Sequence, residues 1–341
     1  MTNPTVSVVV PVFNGEAFLR ESLDSILGQT YAPREVIVMD DASTDSTPEI
    51  VASYGNAVRY VRQLANRGQF GNVNDGLALA TSDLVGVFHA DDVYLPQMLE
   101  REVSWLAAHP EAGAVFCTDV FIDAEGREFG RLELPAEVSG ARVLDYAAVV
   151  NALLTHTNTF LRCPTALVRA HVYRELGGYR DARFKNTSDV DMWLRIARRY
   201  PIGIVDEHLV RYRRGHGSSS ERYHRVRTDP FRYFEIVDEH LRSGGADFAT
   251  HEARRAHEAH RAVDAVLRAV NHYILGDVAA ARAVLGEVRL RALATSSRID
   301  RGRMLVLAAA LALLVRLPRV PVIERAFARH WYGSPDPAGT A

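Results

Sequence analysis

Two pairs of adjacent aspartates stand directly after apolar runs of the sequence. Asp40 and Asp41 follow "REVIVM", and Asp91 and Asp92 lie in "LVGVFHADDVYLP". Neighbouring carboxylates repel each other, and they stay charged near a core only if a cation or hydrogen-bond donors offset the repulsion. Mg²⁺ and Mn²⁺ bind carboxylates in this way and keep open positions for phosphate oxygens. Each pair also has a structural interpretation, because an aspartate at a strand–helix turn commonly caps the helix.

Two further segments carry side chains suited to acid–base or metal chemistry. In "SDVDMWLR", Asp189 and Asp191 precede an apolar helix. A carboxylate there is suited to a general base on a sugar hydroxyl, and helix capping explains the pair equally well. His216 lies in the turn-rich loop "YRRGHGSSS". It is either a solvated side chain or a metal ligand beside a diphosphate.

The segment "NRGQFGNVNDG", from Asn66 to Gly76, is rich in glycine and lies at a predicted strand–helix junction. Such a turn can approach a phosphate closely, and a helix N-terminus favours anions. The segment contains neither GxxxxGK[ST] nor GxGxxG, so the sequence lacks a P-loop and a dinucleotide fingerprint there. Taken alone, the segment is weak evidence for a phosphate-binding site.

The spacing of apolar residues predicts how these side chains are positioned. The predicted strands are "SVVVPVF", "REVIVMDDAS", "AVRYVRQ", "LVGVFHADD" and "AGAVFCTDVFI", and the segments between them have helical periodicity. This alternation is typical of a parallel sheet covered on both faces, in which ligands bind beyond the carboxyl ends of the strands. Both aspartate pairs lie at that edge. We therefore predict an α/β fold with a ligand site there.

The remainder of the chain is predicted to be less regular and then helical. "DVDMWLRIARR" is the clearest helix of the middle segment, and residues 229–293 have a helical composition throughout. We predict a catalytic domain over residues 1–224 and a helical region over 225–331. The final segment, 332–341, is predicted to be a disordered tail.

Composition narrows the class of protein. The formal net charge is -2 over 341 residues, so no global field draws the chain to nucleic acid or to a membrane. The two cysteines, Cys117 and Cys163, offer neither a disulfide framework nor a CxxC metal site, which indicates a reducing cytoplasm. No signal peptide is expected. The longest apolar segment, residues 304–315, is shorter than the roughly 20 residues of a spanning helix.

These segments, in this order, resemble the large inverting glycosyltransferase family often called family 2. The matching stretches are "SVVVPVFNGEAFLRESLDSILGQTYAPREVIVMDDASTDST", "NRGQFGNVNDGLALAT", "LVGVFHADDVYLP" and "SDVDMWLRIA". The resemblance covers roughly residues 5–217. It implies the GT-A fold, a Rossmann-like and mostly parallel sheet flanked by helices. It also implies an enzyme that uses Mn²⁺ or Mg²⁺ to move a sugar from a nucleotide-diphospho-sugar, by family frequency a UDP-sugar, to an acceptor hydroxyl.

The resemblance also implies roles for individual positions. Asp189 corresponds to the base that deprotonates the acceptor, and Asp92 and His216 correspond to metal ligands. With the glycine-rich segment included, we predict that the donor nucleotide is bound by Pro11, Phe13, Asn14, Asp40, Asp41, Asn66, Gly68, Asn74 and Asp91.

The sequence departs from the family pattern at two positions. His89 stands where many members carry the first acid of a spaced Asp-x-Asp, so the metal would depend more heavily on Asp92. Ser188 replaces the glutamate that often precedes the base. No glutamine follows Gln97, so the Gln-x-x-Arg-Trp motif of processive synthases is absent. The predicted reaction is therefore the addition of a single sugar to a saccharide or lipid-linked acceptor, in surface polysaccharide biosynthesis.

Two other functions share parts of this pattern. A sugar-1-phosphate nucleotidyltransferase would normally carry a glycine- and Arg/Lys-rich loop after the first strand, whereas "VPVFNGEAFL" has no basic residue before Arg20. A catalytically silent nucleotide-sugar-binding module would not need the acids at Asp41, Asp92 and Asp189.

The C-terminal segment "RMLVLAAALALLVRLPRVPVIERAFARHWYG" has two interpretations. It either lies on the inner face of the membrane as a peripheral amphipathic segment near a lipid-linked acceptor, or docks as a buried helix. A short apolar run favours the buried helix.

Overall fold

The computed structural model of the protein describes residues 3–140, 143–215, 227–293 and 301–316. These residues form two compact units. The first contains the described residues up to 215 together with Ser243–Phe248, and the second contains residues 227–242 and those from 249 onward. The predicted domain boundary at residue 224, like the predicted tail over 332–341, lies outside the described residues and stays a prediction.

A ten-stranded sheet forms the centre of the first unit. Its strands are β1 (Val6–Val12), β2 (Glu35–Asp40), β3 (Arg59–Arg62), β4 (Leu84–Val87), β5 (Val93–Tyr94), β6 (Ala114–Ile122), β7 (Glu128–Arg131), β8 (Val143–Leu144), β9 (Ala166–Arg169) and β10 (Ile202–Arg213).

Helices cover the sheet of the first unit. They are α1 (Leu19–Leu27), α2 (Thr47–Ala52), α3 (Gln69–Leu79), α4 (Met98–Ala108), α5 (Tyr146–His156), α6 (Ala170–Leu176), α7 (Asp181–Phe184) and α8 (Ser188–Ala197).

The sheet combines two parallel blocks. Its order is β3-β2-β1-β4-β9-β6-β10-β5, with β7 beside β6 and β8 beside β10. The first four strands of this order are parallel to one another, and β6 is parallel to β10. Strand β9 runs antiparallel to both β4 and β6 and joins the two blocks. The predicted α/β fold class is confirmed, and the sheet is mixed because β9 enters it from the opposite direction.

Strand β1 shows why the N-terminal apolar run forms a central strand. Its valines at alternate positions, together with Leu19, Leu23 and Ile26 of α1, belong to one buried cluster on one face of the sheet. Val9 is also fully buried and faces α3 on the other side. A strand covered on both faces needs a continuous rather than an alternating apolar sequence.

Strand β10 was not predicted, because charged residues interrupt its apolar pattern. The pairing with β6 shifts register between Val205 and His208 and again between His208 and Val210. Asp206 and Glu207 fall at this irregularity and are exposed. A bulge of this kind removes the charged side chains from the buried face without ending the strand.

The second unit is helical throughout its described part, which confirms the predicted helical C-terminal region. Its helices are α9 (Arg232–Arg242), α10 (His251–Ile274), α11 (Val278–Gly286), α12 (Leu290–Leu293) and α13 (Arg301–Leu314). Thr250 caps the long helix α10 by accepting a hydrogen bond from the N–H of Ala253 at 3.1 Å.

Helix α13 has one face in the core of the second unit and one face exposed. Met304, Ala308 and Leu311 are buried among side chains of the other helices, whereas Val306 and Leu313 are exposed. The buried face agrees with the interpretation of this segment as a docked helix. In the described ranges, no helix has both the length and the apolar character needed to cross a membrane.

Helix α3 lies close to the sheet at Gly76. A Cβ atom there would come within 2.4 Å of Val9 Cγ1 and 2.9 Å of Met39 Cγ, and both of these side chains are buried. Gly71, one turn earlier in α3, has room, since a Cβ atom would meet Arg67 Cβ at 3.5 Å. The close approach matters because the N-terminus of α3 forms part of the candidate site described below.

We expect Gly76→Ala to lower the free energy of unfolding by about 1–3 kcal/mol, because the added methyl overpacks a rigid strand. The matched variant Gly71→Ala should be neutral or gain about 0.5–1 kcal/mol from its better helix propensity. Urea unfolding of both variants measures the difference. Equal stabilities would show that α3 is not held against the sheet at Gly76.

Candidate functional site

The predicted acids meet at one edge of the sheet. Asp40 is the last residue of β2 and Asp41 follows it, while Asp91 and Asp92 lie in the turn between β4 and β5. Strand β1 pairs in parallel with both β2 and β4, so both turns leave the sheet at the same edge. Two strand spacings separate the two turns by about 10 Å. The other predicted metal ligand, His216, lies outside the described residues.

Asp92 has one carboxylate oxygen that the protein satisfies and one that it does not. The residue is 1% exposed. Its Oδ1 accepts a hydrogen bond from the N–H of Arg213 at 2.8 Å, and its Oδ2 has no hydrogen-bond partner in the described part of the chain. Burial, and then the charge of Asp91, raise the pKa of Asp92 well above its usual range. A divalent cation at Oδ2 would reverse this penalty.

His89 completes a group of three possible metal ligands. One ligand atom each from His89, Asp91 and Asp92 lies within 4.8 Å of the others. The Nδ1 of His89 is 3.7 Å from Oδ2 of Asp92. Burial lowers the pKa of His89, which keeps the imidazole neutral and able to coordinate a metal. The buried, unpartnered oxygen of Asp92 beside a neutral imidazole fits a divalent cation.

The glycine-rich segment connects Asp41 to this group. The two carboxylate oxygens of Asp41 accept hydrogen bonds from the N–H groups of Arg67 at 2.7 Å and Gly68 at 3.0 Å. Gly68 has φ 78, a left-handed conformation that suits glycine. The next residue, Gln69, places its Nε2 atom 3.5 Å from Nε2 of His89. Asp41 therefore positions the loop that borders the metal-ligand group.

Asp40 is engaged by the protein on both oxygens. It is fully buried, and it accepts hydrogen bonds from the N–H of Ser43 at 2.8 Å and from the hydroxyl of Tyr60 at 2.6 Å. The guanidinium of Arg62 lies 3.6 Å away. These contacts explain the buried charge without a ligand, and a direct role of Asp40 in donor binding stays a prediction.

The loops after β1 and β2 are tied together beside these acids. The side-chain carbonyl of Asn14 accepts a hydrogen bond from the N–H of Thr44 at 2.8 Å, and the N–H of Asn14 donates to Ser43 Oγ at 2.9 Å. Pro11 lies near the end of β1, and Phe13 is 51% exposed just beyond it. An exposed aromatic ring on a rigid loop suits stacking on a nucleotide base.

Backbone strain is concentrated around these loops. Among the described residues, the non-glycine positions with positive φ are Asn14, Ala42, Thr157 and Lys185. Ala42, with φ 64, follows Asp41 directly, and Thr157 and Lys185 flank the segments that position Asp189. Such conformations cost free energy and cluster at functional sites.

Asp189 lies in the first turn of α8 and has a strongly raised pKa. Its Oδ1 accepts a hydrogen bond from the N–H of Val190 at 2.9 Å, and its Oδ2 accepts one from Asn158 Nδ2 at 3.3 Å. Burial raises the pKa of Asp189 to about 7, although these donors and the charge of Arg162 act in the opposite direction. A carboxylate with this pKa can accept a proton near neutral pH.

Asp191, two residues further along α8, has a structural role. It is fully buried, and its carboxylate is paired with the guanidinium groups of Arg180 and Arg195. Arg195 also donates to the carbonyl oxygens of Leu176 and Gly178. Asp191 therefore fixes the start of α8, which leaves Asp189 as the acid that can face a ligand.

Asn74 is held by the protein rather than presented to the site. Its Nδ2 donates to the carbonyl oxygen of Tyr179 at 2.8 Å, and its Oδ1 accepts from the N–H of Tyr179 at the same distance. This double hydrogen bond ties α3 to the segment before α7. It accounts for Asn74 without a nucleotide, and a role of Asn74 in donor binding stays a prediction. The Oδ1 of Asn66 accepts a hydrogen bond from the N–H of Gly68 at 3.0 Å, and its role in donor binding also stays a prediction.

Asp92 and Asp189 belong to one region of the molecule. Their charges both act on the buried Cys163 thiol and help to raise its pKa, for which burial is the main cause. The charge of Arg162 acts on both carboxyl groups as well. Contacts link the two acids as well: Asn158 donates to Asp189, Arg162 lies four residues later over the ring of Tyr212, and the next residue, Arg213, donates its N–H to Asp92.

Arg213 fixes the turn that carries Asp91 and Asp92. Its side chain is 1% exposed and lies over the ring of Phe18, with 4.5 Å between the guanidinium carbon and the ring centroid. Besides the main-chain contact to Asp92, its guanidinium donates to the carbonyl oxygen of Asp91 at 2.9 Å and to Glu21 at 2.6 Å. It also donates to two carbonyl oxygens of the β6–β7 hairpin.

Sequence reasoning did not identify His89, Arg213, Asp119 or Arg162 as site residues. His89 was visible in "HADD", but it was interpreted as a substitution for an acid rather than as a ligand. The other three take their places from strand pairings that the sequence pattern did not reveal.

Comparison with known proteins gives a consistent picture. The family model described as glycosyl transferase family 2 matches residues 7–177. A putative glycosyltransferase, EpsE, of Bacillus subtilis is 34% identical over 199 residues, which are 57% of this chain and 67% of the relative. An uncharacterized glycosyltransferase of Rickettsia felis is 28% identical over 213 residues, which are 62% of this chain but only 34% of that longer relative.

Two solved structures share the fold. Staphylococcus aureus TarS, residues 1–349 in complex with UDP, has a TM-score of 0.60 at 16% identity and covers 97% of this chain and 92% of its own. The mannosyltransferase PcManGT of Pyrobaculum calidifontis, in complex with GDP-Man and Mn²⁺, has a TM-score of 0.53 at 23% identity, with coverage of 98% and 85%.

We expect Arg213→Lys to lower the free energy of unfolding by about 2–4 kcal/mol, because a lysine cannot replace a buried fork of hydrogen bonds. Arg211→Lys is the matched control in the same strand, since Arg211 is partly exposed and its guanidinium contacts Gly126 and Glu128. That variant should lose less than about 1 kcal/mol. Chemical unfolding of the two variants checks the difference, and similar losses would contradict the role given to Arg213.

Proposed function

Because this chain belongs to glycosyl transferase family 2, the family that its sequence resembles, we propose that it moves a single sugar from a nucleoside-diphospho-sugar to an acceptor hydroxyl. The predicted enzyme class, a glycosyltransferase, is confirmed by the same match. The observation that carries the proposal is the buried Asp92 carboxylate with one unpartnered oxygen, grouped with His89 and Asp91 and sharing a region with Asp189.

The residues that would hold a divalent cation are His89, Asp91 and Asp92. When bound, the cation would neutralise the donor diphosphate and stabilise its charge as it leaves. Imidazole nitrogen is a poorer ligand for Mg²⁺, which prefers oxygen, than for Mn²⁺. We therefore favour Mn²⁺ for this chain, in agreement with the Mn²⁺ in the PcManGT complex, which has the same fold.

The chain's own residues supply orientation and proton transfer. The loop held by Asp41 and the exposed ring of Phe13 border the place where the nucleotide would lie. Asp189 accepts the proton of the acceptor hydroxyl as that oxygen attacks the anomeric carbon of the donor. The bond between this carbon and the phosphate oxygen breaks, and its electron pair leaves with the nucleoside diphosphate. Attack on the face opposite the leaving group inverts the anomeric carbon.

The base of the donor and the identity of the acceptor belong to the same proposal. We favour a UDP-sugar on family frequency. The two solved neighbours bind uridine and guanosine nucleotides respectively, so both bases need to be tested. A saccharide or lipid-linked acceptor in surface polysaccharide biosynthesis fits a transferase that adds one sugar. A lipid-linked acceptor would bring the enzyme to the inner face of the membrane, where the exposed Val306 and Leu313 of α13 would face lipid.

We expect Asp92→Asn to weaken Mn²⁺ binding by at least about 10- to 100-fold. His89→Asn should lower affinity for Mn²⁺ more than affinity for Mg²⁺, because it removes the nitrogen ligand. The control Glu111→Gln changes an exposed acid paired with His109 and should leave binding unaltered. Titration of free Mn²⁺ by electron paramagnetic resonance measures all three.

Stability separates a lost ligand from a lost fold in this experiment. Without metal, Asp92→Asn should be at least as stable as the native chain, because it replaces a buried acid, whose pKa burial raises, with a neutral side chain of the same shape. Native Mn²⁺ affinity in Asp92→Asn would remove this residue from the metal site.

We expect the transfer rate to rise with pH through a midpoint of about 7, because Asp189 accepts a proton only when it is ionised. Asp189→Asn should lose about 10²- to 10⁴-fold in transfer and abolish this pH step, while donor affinity is kept. Initial rates of nucleoside diphosphate release with acceptor present, together with calorimetric donor binding, test both statements.

The neighbouring acid provides the control for Asp189. Asp191→Asn should lower the free energy of unfolding by about 3 kcal/mol, because two arginines lose a buried partner, whereas Asp189→Asn should not destabilise the chain. Full transfer activity in Asp189→Asn would assign the base to another residue.

A further inference from the structure

Arg162 places a permanent positive charge among the acids of the site. It immediately precedes the short turn Cys163–Thr165, which leads into β9. Its carbonyl oxygen accepts hydrogen bonds from the N–H of Thr165 at 3.2 Å and from the Thr165 hydroxyl at 3.0 Å. The main chain that carries this side chain is therefore fixed by the turn.

The guanidinium of Arg162 is held between two aromatic rings. Its central carbon lies 4.8 Å from the ring centroid of Tyr212 in β10 and 5.3 Å from that of Phe121 in β6. Cation–π contact with both rings restricts the guanidinium, so less entropy is lost when it binds an anion.

Asp119 explains only part of this arrangement. Its side chain is fully buried in β6, and its Oδ2 lies 3.0 Å from Nε of Arg162. Within the described part of the chain, the guanidinium contacts Asp119 through Nε and lies near the rings of Phe121 and Tyr212. The side chain is 20% exposed, and no hydrogen bond of its two terminal nitrogens is seen within the described residues.

Contacts join Arg162 to both functional acids. Tyr212, whose ring lies 4.8 Å from its guanidinium carbon, directly precedes Arg213, whose N–H donates to Asp92 at 2.8 Å. Asn158, which donates to Asp189 at 3.3 Å, lies four residues before Arg162. In the proposed reaction, the group that occupies the region between a metal ligand and the base is the bond between the sugar and the terminal phosphate.

We propose that Arg162 binds the terminal phosphate of the donor diphosphate through its two free nitrogens and stabilises that phosphate as it leaves. This inference rests on the proposed function and assigns a further residue to the same reaction. A fixed guanidinium fork matches two phosphate oxygens, which adds orientation to charge. When the sugar–phosphate bond breaks, its electron pair stays on the phosphate oxygen, and Arg162 donates hydrogen bonds to that phosphate.

The test compares nucleotides that differ only in the terminal phosphate. Isothermal titration calorimetry with UDP and UMP, and with GDP and GMP, identifies the base that the native enzyme binds. For that base, Arg162→Gln should weaken diphosphate binding by about 10- to 100-fold, the value of a hydrogen-bonded charge. Monophosphate binding should change less than about twofold. Arg162→Lys keeps the charge without the fork and should fall between the native enzyme and Arg162→Gln.

A second variant separates phosphate binding from a structural role toward Asp119. In Arg162→Gln the buried Asp119 loses its cation, so stability should fall. The double variant Arg162→Gln/Asp119→Asn should recover that stability without recovering diphosphate affinity. If Asp119→Asn restores diphosphate binding along with stability, Arg162 acts only as a partner of Asp119 and the inference is wrong.

The remaining outcomes are also decisive. Equal weakening of monophosphate and diphosphate binding, or no weakening of either, would show that Arg162 does not touch the terminal phosphate while leaving the proposed function intact. A native enzyme that binds neither UDP nor GDP would overturn the proposed function, and this inference with it.

Discussion

The structure depends on burying the Asp92 carboxylate where one of its oxygens finds no partner in the described protein. A buried, unneutralised carboxylate is costly, and neighbouring Asp91 increases the cost. The surrounding structure holds the residue in place despite this penalty, through Arg213 on β10 and through the strands on either side of the turn. In the proposed function, a divalent cation at this oxygen would offset the penalty, because it would neutralise a carboxylate that the fold already holds out of water. Stability given up at this turn would then favour cation binding.

Two acids separated by one residue on α8 have opposite tasks. The carboxylate of Asp191 is paired with two arginines and fixes the helix start, whereas Asp189 accepts one main-chain hydrogen bond and one from Asn158, and burial raises its pKa to about 7. Fixing the backbone with one carboxylate leaves the other free to exchange a proton without moving the helix. The two acids at the end of β2 also differ in their contacts. Both oxygens of Asp40 accept hydrogen bonds from the protein, whereas Asp41 positions the loop that borders the proposed metal ligands.

The sequence allowed the α/β fold, the edge that carries the acids and the family to be predicted, because periodicity and strand-end acids are local signals. It did not allow β10 to be predicted, since a bulge around His208 hides the strand in a charged segment. Asp189 and Asp191 were indistinguishable from spacing, because their difference lies in arginines brought in from other segments. The structural contact of Asn74 could not be predicted either, since its hydrogen-bond partner Tyr179 is remote in sequence. Asp119 and Arg162 meet only because β6 pairs with β9, and no local pattern reports such a pairing. The donor-binding roles of Pro11, Phe13, Asn14, Asp40, Asp41, Asn66, Gly68, Asn74 and Asp91 remain predictions.

Lys185, the residue with φ 45 in the turn before α8, is also the only lysine of the chain. Its side chain is exposed, and it lies four positions before Asp189. Amine-directed reagents can therefore attach at one internal place, beside the proposed base, without any engineering of the surface. A fluorophore carried there would report on the environment of the acceptor as it arrives, and a photo-activated group would mark covalently whichever molecule docks. Because lysine occurs once in the chain, labelling of Lys185 gives direct access to acceptor binding.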